Sequence, residues 1–123
     1  MMNVAIIGAS SDRSKFGNKA VRAYAAAGHK VFPVSLKEKE IEGMRCYADI
    51  RDIPDRIDRV SVYTPPSVTY KLLDGIAEKK VREVYLNPGA EDEATVRKAE
   101  ALGLNIALLC SILAIGQDPA KFT

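Results

Sequence analysis

A short glycine and serine segment near the N-terminus has the composition of a loop that holds phosphate groups. Gly8-Ala9-Ser10-Ser11 follows an apolar run, and a helical pattern begins a few residues later. Gly8 lets the backbone approach a ligand closely, and the following amides and hydroxyls can donate hydrogen bonds at a helix start. Such groups bind a diphosphate, and Lys15 adds a cation nearby. A tight turn followed by a helix cap explains the same residues equally well.

This loop departs from the dinucleotide fingerprint Gly-x-Gly-x-x-Gly. Ser10 stands at the position of the second glycine, and Ser35 follows the second apolar run, where an NAD-binding protein would carry Asp or Glu. Lys37 comes two residues later, and its charge suits an additional phosphate on a ribose, as in NADP or coenzyme A. A solvated surface charge is the commoner explanation, because Lys37 lies in the alternating run Lys37-Glu38-Lys39-Glu40.

Two proline-containing segments follow later strand-like runs. Tyr63-Thr64-Pro65-Pro66 would form a rigid apolar wall, since proline fixes φ and lacks an amide donor. Asn87-Pro88-Gly89 would lie beside it. A helix start and a turn account for the two segments without any ligand. Together, the candidate binding residues are Gly8, Ala9, Ser10, Ser11, Lys15, Val34, Ser35, Lys37, Tyr63, Thr64, Pro65, Asn87, Pro88, Gly89 and Cys110.

The sequence contains no recognisable catalytic or metal-binding group. It has one histidine, His29, and two cysteines, Cys46 and Cys110, without a Cys-x-x-Cys pair, so no zinc site is predicted. We expect both cysteines to be reduced and to pack as small buried side chains, with Cys110 delivered to the ligand edge by the last strand. Neither an acid–base pair nor a nucleophile beside a base is evident. The pattern therefore favours binding over catalysis.

Composition limits the classes of protein that fit. The 123 residues are 47% hydrophobic and 28% charged, which is typical of one globular domain spanning residues 1–123. A net charge of +2 lacks the basic stripe of a nucleic-acid binder. No apolar run is long enough to cross a bilayer, and we expect no secretory leader, because the first residues show neither a basic segment nor a small-residue cleavage site. We therefore expect a cytoplasmic protein that has neither nucleic acid nor membrane as a partner.

Strand-like and helical patterns alternate along the chain. Strands are predicted at 3–8, 30–34, 59–63, 83–86 and 105–109, with helices from about 18 to 28, from about 66, and from about 91 to 102. The link 35–57 is mixed: a turn is expected at Glu42-Gly43, a short extended piece at Met44 to Tyr47, and another turn at Asp52 to Asp55. The tail 110–123 shows no regular pattern. This order predicts a Rossmann-like, doubly wound α/β domain with a five-stranded, mainly parallel sheet and helices on both faces. Ligands of such folds bind beyond the carboxyl ends of the strands, where the candidate residues lie.

Three local details of the helices and strands follow from residue type and spacing. Val68, Leu72, Ile76 and Ala77 recur at helical intervals and predict the buried face of the second helix. The acidic run 91–93 is expected in the first turn of the third helix, where the helix dipole favours negative charge. Pro33 is expected at a strand edge or end, because it cannot donate to a neighbouring strand.

Several segments taken in order resemble a known family, the small stand-alone coenzyme A-binding proteins related to the N-terminal domain of the succinyl-CoA synthetase alpha subunit. The segments are Val4 to Ser10, Val31 to Val34, Gly43 to Tyr47 before Asp52-Ile53-Pro54, Tyr63 to Pro66, and Asn87 to Glu91. The resemblance runs from about residue 4 to residue 110. It implies coenzyme A lying across the carboxyl edge of the sheet.

The resemblance also implies roles for residues. Residues 8–10 would hold the diphosphate, Val34, Ser35 and Lys37 would lie along the nucleotide, and residues 63–65 and 87–89 would flank the ligand. The usual family pattern Val-Asn-Pro-Lys is Val34-Ser35-Leu36-Lys37 here. Ligase activity is not implied, because the catalytic histidine of the synthetase belongs to a later domain.

The resulting hypothesis is a protein that binds coenzyme A or an acyl-CoA without a reaction of its own. Two alternatives stay open: an NADP-dependent oxidoreductase, and a regulatory or structural subunit with a residual nucleotide pocket. Association with itself or with an enzyme partner is compatible with each of the three.

Overall fold

The computed structural model describes residues 1–123 and has a five-stranded parallel sheet with helices on both faces. The sheet contains β1 (Asn3–Ile7), β2 (Lys30–Val34), β5 (Arg59–Val62), β6 (Glu83–Leu86) and β7 (Ile106–Leu108), and β3 (Glu40–Ile41) and β4 (Met44–Arg45) form a separate hairpin. The α-helices are α1 (Phe16–Ala26), α2 (Pro66–Glu78), α3 (Glu93–Ala101) and α4 (Ser111–Ala114), with 3-10 turns at Ile50–Asp52 and Pro119–Lys121. The predicted Rossmann-like α/β fold is confirmed.

The strand order places a crevice beside the first strand. The order is β2-β1-β5-β6-β7, so β1 pairs with β2 on one side and with β5 on the other. From β1 the chain first adds β2 on one side, and after β2 it crosses over to add β5, β6 and β7 on the other side of β1. The carboxyl ends of β1 and β5 therefore flank the position where open α/β sheets bind ligands.

Each face of the sheet has its own apolar core. Val4 and Ile6 of β1 pack with α1 on one face, while Ala5 and Ile7 pack with α2 and α3 on the other. Burial on both faces explains why β1 is a continuous apolar run. Each fully buried aliphatic side chain of this size contributes about 1.5–3 kcal/mol relative to an exposed one.

The edge strand β2 tolerates its proline as predicted. The carbonyl of Pro33 accepts a hydrogen bond from Tyr47 N at 2.9 Å, and Ser35 N donates to Tyr47 O at 2.9 Å. The backbone groups of residues 33 and 35 therefore face away from β1. The missing amide of Pro33 removes no bond to β1.

The turn at Glu42-Gly43 and the extended piece from Met44 are present as predicted, and they form the β3–β4 hairpin. Three other local expectations are corrected by the structure. The first helix begins at Phe16 rather than near residue 18. Asp92 is the N-cap of α3 and accepts from Thr95 N at 2.8 Å, so of the acidic run only Glu93 lies in the first turn. The tail folds into α4 and a second 3-10 turn. None of the helices combines the length and apolar character that crossing a membrane requires.

Candidate functional site

The carboxyl ends of the strands open into a cavity of about 1440 Å³. Loops after β1, β2, β5, β6 and β7 all contribute to its lining, together with the tail. Pockets for drug-sized molecules usually measure about 300–1,000 Å³. The cavity is therefore large enough for an elongated ligand that contacts several loops at once.

The structure gathers the predicted residues around this cavity, with one exception. The predicted residues that line it are Gly8, Ala9, Ser10, Ser11, Lys15, Val34, Ser35, Lys37, Tyr63, Thr64, Pro65, Asn87, Pro88 and Cys110. Gly89 does not line the cavity. Its φ is +91°, and a Cβ at this position would meet nothing within 4 Å, so the glycine serves the backbone turn.

Two glycines allow the loop after β1 to pack against the start of α1. Gly8 has a φ of +82°, and a Cβ there would lie 3.0 Å from Tyr63 C. A Cβ on Gly17 would lie 2.2 Å from the carbonyl oxygen of Gly8, closer than real Cβ contacts. Gly17 thus allows the close helix–strand packing that the third glycine of a dinucleotide fingerprint provides. The spacing does not predict this role, because Gly17 lies nine residues after Gly8, whereas the fingerprint places its third glycine five residues after the first.

The backbone amides of this loop differ in their availability. Gly8 N and Ala9 N both donate to Val34 O, at 3.2 and 3.3 Å, so they are engaged within the protein. The amides of Ser10, Phe16 and Gly17 have no hydrogen-bond acceptor in the structure, although all three residues line the cavity. Unpaired amides at a helix start attract anions. The donors for an anion are therefore centred on Ser10 and the first turn of α1, rather than on Gly8 and Ala9.

A carboxylate of the protein already contacts the neighbouring residue. Ser11 donates to Glu38 through both its amide and its hydroxyl, the latter at 2.8 Å from Glu38 Oε1. Glu38 belongs to the loop after β2 and also lines the cavity. This pair joins the two loops on either side of the crevice. It also demonstrates that the Ser11 donors accommodate negatively charged oxygen atoms.

Three lysines give the cavity free positive charge. Lys15, Lys19 and Lys37 line it, and none of them forms a salt bridge. Lys37 is exposed, and its amide donates to Ser35 Oγ at 3.2 Å. Cations without ion-pair partners next to unpaired amides favour a ligand that carries several negative charges.

Asn87 has a positioning role. Its Nδ2 donates to Ser61 Oγ at 3.0 Å and to Val62 O at 2.8 Å, while its Oδ1 accepts from Ser111 N at 2.7 Å. Asn87 is buried, and both of its donor hydrogens have partners. It therefore ties β5, the loop after β6 and α4 together beneath the cavity.

Tyr63 carries a buried hydroxyl without a partner. Its oxygen is shielded from solvent and completes no hydrogen bond in the protein. Burial raises the pKa of Tyr63 well above its usual value of 10, because the phenolate would lose its hydration. The hydroxyl is therefore a neutral donor. Tyr63 lines the cavity, and buried polar groups without partners are uncommon away from functional sites.

Exposed apolar side chains also surround the cavity. They include Phe16, Leu36, Val68 and Leu113, of which Leu36 is 88% exposed. Ile76 is buried as predicted, but Val68 is exposed and Leu72 only partly buried, and both line the cavity. Leu73, which is not in the predicted set, is buried in the core instead. The spacing alone could not distinguish a face that packs on the sheet from one that borders a cavity.

Both cysteines are free and half-buried rather than fully buried. Cys110 lines the cavity, whereas Cys46 does not. Burial raises the pKa of the Cys46 thiol, which disfavours the reactive thiolate. His29 lies at the opposite end of the sheet and accepts from Met2 N at 3.0 Å. No group of three or more metal-ligating side chains is present.

Comparison with known proteins gives a consistent result. A family model described as CoA binding domain matches residues 2–116. The alpha subunit of acetate–CoA ligase (ADP-forming) II from Pyrococcus furiosus is 33% identical over 86 residues, which cover 68% of this chain and 18% of that subunit. An acetate–CoA ligase (ADP-forming) from Methanocaldococcus jannaschii is 34% identical over 80 residues, covering 65% of this chain and 11% of the ligase. The chain thus spans less than a fifth of the length of these relatives.

Solved structures share the fold. A conserved hypothetical protein from Pyrococcus furiosus superposes with a TM-score of 0.85 and 27% identity, covering 93% of this chain and 99% of its own. Acetyl-coenzyme A synthetase 1 of Ca. Korarchaeum cryptofilum, described as dinucleotide forming and solved with phosphate and ADP, superposes with a TM-score of 0.77 and 26% identity. That match covers 89% of this chain and 26% of the synthetase.

Proposed function

Because the chain belongs to the CoA binding domain family, whose model matches residues 2–116, we propose that it binds coenzyme A or an acyl-CoA in the cavity at the carboxyl edge of the sheet. One observation carries the proposal: the unpaired amides of Ser10, Phe16 and Gly17 line the same cavity as three lysines without ion-pair partners. Coenzyme A is a polyanion with a long, flexible arm. It therefore needs both a cluster of donors and an elongated cavity.

The diphosphate would lie at the start of α1. Ser10, Phe16 and Gly17 would supply amide hydrogens, and Lys15 and Lys19 would supply charge. Hydrogen bonds to a charged partner are worth roughly 1.5–3 kcal/mol each. Gly17 makes this arrangement sterically accessible, because any larger residue would separate α1 from the loop.

The nucleotide half would lie along the loop after β2. Val34 and Ser35 would contact it, and Lys37 would pair with the phosphate on the ribose. The presence of lysine instead of an acidic residue after β2 disfavours a free ribose 2′-hydroxyl as in NAD. Lys37 is exposed and has no other partner, so it can reach a bound phosphate without breaking an existing ion pair.

The pantetheine arm of coenzyme A would cross the loops after β5 and β6. Thr64, Pro65 and Pro88 offer a stiff, mostly apolar wall, and Tyr63 borders it with its hydroxyl shielded from solvent. Cys110 borders the same space. A stiff wall of this kind suits a flexible pantetheine arm, because the prolines fix the backbone and offer no amide donor.

We propose binding without a reaction performed by this chain alone. The cavity contains neither a nucleophile beside a base nor an acid–base pair, and His29 lies at the far end of the sheet. Coenzyme A itself supplies a thiol on which acyl groups are carried. Holding or presenting that thiol to a partner enzyme requires only positioning by the protein.

Calorimetry with coenzyme A, dephospho-coenzyme A and NADPH tests the proposal. We expect the wild type to bind coenzyme A about five- to tenfold more tightly than dephospho-coenzyme A, because one charged contact is lost. Lys37→Ala should bind the two ligands equally. Lys39→Ala is the matched control, since Lys39 lies in the same charged run but does not line the cavity. Absence of coenzyme A binding, or tighter binding of NADPH, would contradict the proposal.

A further inference from the structure

The last residues of the chain form a wall of the cavity although they lie outside the family match. The match ends at residue 116, and residues 117–123, here named the C-terminal strap, follow it. Asp118, Pro119 and Ala120 of the strap line the cavity. The 3-10 turn at Pro119–Lys121 packs against α1, where the diphosphate is proposed to bind.

Arg22 of α1 contacts the end of the strap, where Phe122 also packs against the apolar core. Arg22 Nη2 donates to Phe122 O at 3.0 Å, and its Nη1 lies 3.3 Å from Thr123 O. The guanidinium group also lies over the Phe122 ring, 5.8 Å from the ring centroid. Two carbonyl contacts and a cation–π contact from one planar group fix both the position and the direction of the strap.

The same arginine reaches the loop that precedes α1. Its Nε donates to Asn18 Oδ1 at 2.7 Å, and its Nη2 donates to Arg13 O at 2.9 Å. Asn18 is fully buried, and its Nδ2 donates to Ser10 O at 2.9 Å. A continuous set of hydrogen bonds therefore connects the strap, through Arg22 and Asn18, to the residue whose free amide faces the proposed ligand.

From this geometry we propose that the C-terminal strap is a wall of the ligand site that sets its affinity for a polyanion, and that Arg22 is its positioning residue. The inference rests on the proposed function, since the ligand is coenzyme A. The strap brings contact surface from Pro119 and Ala120, and it also brings the carboxylate of Asp118 to the cavity. Against a polyanion, this carboxylate limits how much negative charge the site accepts.

Two pairs of variants test the inference by calorimetry with coenzyme A. Arg22→Ala releases the strap and should weaken binding about tenfold, whereas Arg82→Ala, an exposed arginine without an ion pair, should bind like the wild type. Asp118→Asn keeps the cap on Ala120 N but removes the charge, and should tighten binding about two- to threefold. Asp52→Asn makes the same charge change away from the cavity and should have no effect.

Hydrogen exchange of the wild type gives a measurement that needs no variant. Amides of residues 117–123 should exchange more slowly when coenzyme A is bound. Wild-type affinity in both Arg22→Ala and Asp118→Asn, with unchanged exchange in the strap, would overturn the inference while leaving the proposed function intact. If Arg22→Ala does not fold, Asp118→Asn and the exchange measurement decide the question. If the wild type does not bind coenzyme A, the proposed function and this inference both fail.

Discussion

Replacing Gly17 with alanine would place a methyl group against the loop that follows β1. The new Cβ would lie 2.2 Å from Gly8 O and 3.1 Å from Gly8 C, and both opposing atoms are backbone. Neither can move as a side chain would, so α1 and the loop must separate. Overpacking of this kind costs about 1–3 kcal/mol, and the better helix propensity of alanine returns at most about 1 kcal/mol. We expect a net loss of about 2 kcal/mol in the free energy of unfolding.

Urea unfolding and calorimetry measure the two consequences. Stability should fall by about 2 kcal/mol, and coenzyme A affinity by about tenfold or more, because the amides of Phe16 and Gly17 shift with α1. Gly75→Ala is the matched control. Its Cβ would lie 3.3 Å from the Arg51 side chain, which is exposed and can move, so stability should stay constant or rise by up to about 1 kcal/mol. If the free energies of unfolding of the two variants differed by less than about 0.5 kcal/mol, the steric argument for Gly17 would be refuted.

Three further predictions concern individual side chains. Glu38→Gln should tighten coenzyme A binding several-fold in calorimetry by removing a carboxylate from the Ser11 donors, while the exposed Glu40→Gln should not. Tyr63→Phe should stabilise the free protein to urea by about 1 kcal/mol, because an unpaired buried hydroxyl is removed. Coenzyme A affinity measured by calorimetry should stay the same, because that hydroxyl is shielded from the cavity, and a loss of stability would contradict this prediction. Burial lowers the pKa of His29 below 6.5, so the unfolded chain binds the proton more readily than the folded protein. The free energy of unfolding should therefore fall as the pH drops through about 6.5. Urea unfolding at several pH values should show a smaller fall for His29→Gln.

Much of the fold follows from local patterns. The apolar run at residues 3–7, the glycine that ends it and the alternation of later segments predict a parallel sheet, because strands covered on both faces must be apolar throughout. The fold rule then places the candidate residues at one edge. Gly8, Lys37 and Tyr63 come together there although they are distant in sequence.

Other features depend on contacts that no local pattern encodes. The requirement for glycine at residue 17 arises only from the approach of α1 to Gly8 O. Asn87 lies in a proline–glycine turn typical of a surface loop, yet it is buried and bonded to Ser61 and Ser111. The tail has no periodicity of its own, and it is ordered by Arg22 on a different element.

A crystal structure of the protein with coenzyme A tests the central claim most directly. The account predicts diphosphate oxygens within hydrogen-bonding distance of the Ser10, Phe16 and Gly17 amides, with the Glu38 carboxylate moved away from Ser11. A diphosphate bound elsewhere, with Glu38 still on Ser11 and the start of α1 free of ligand, would contradict it.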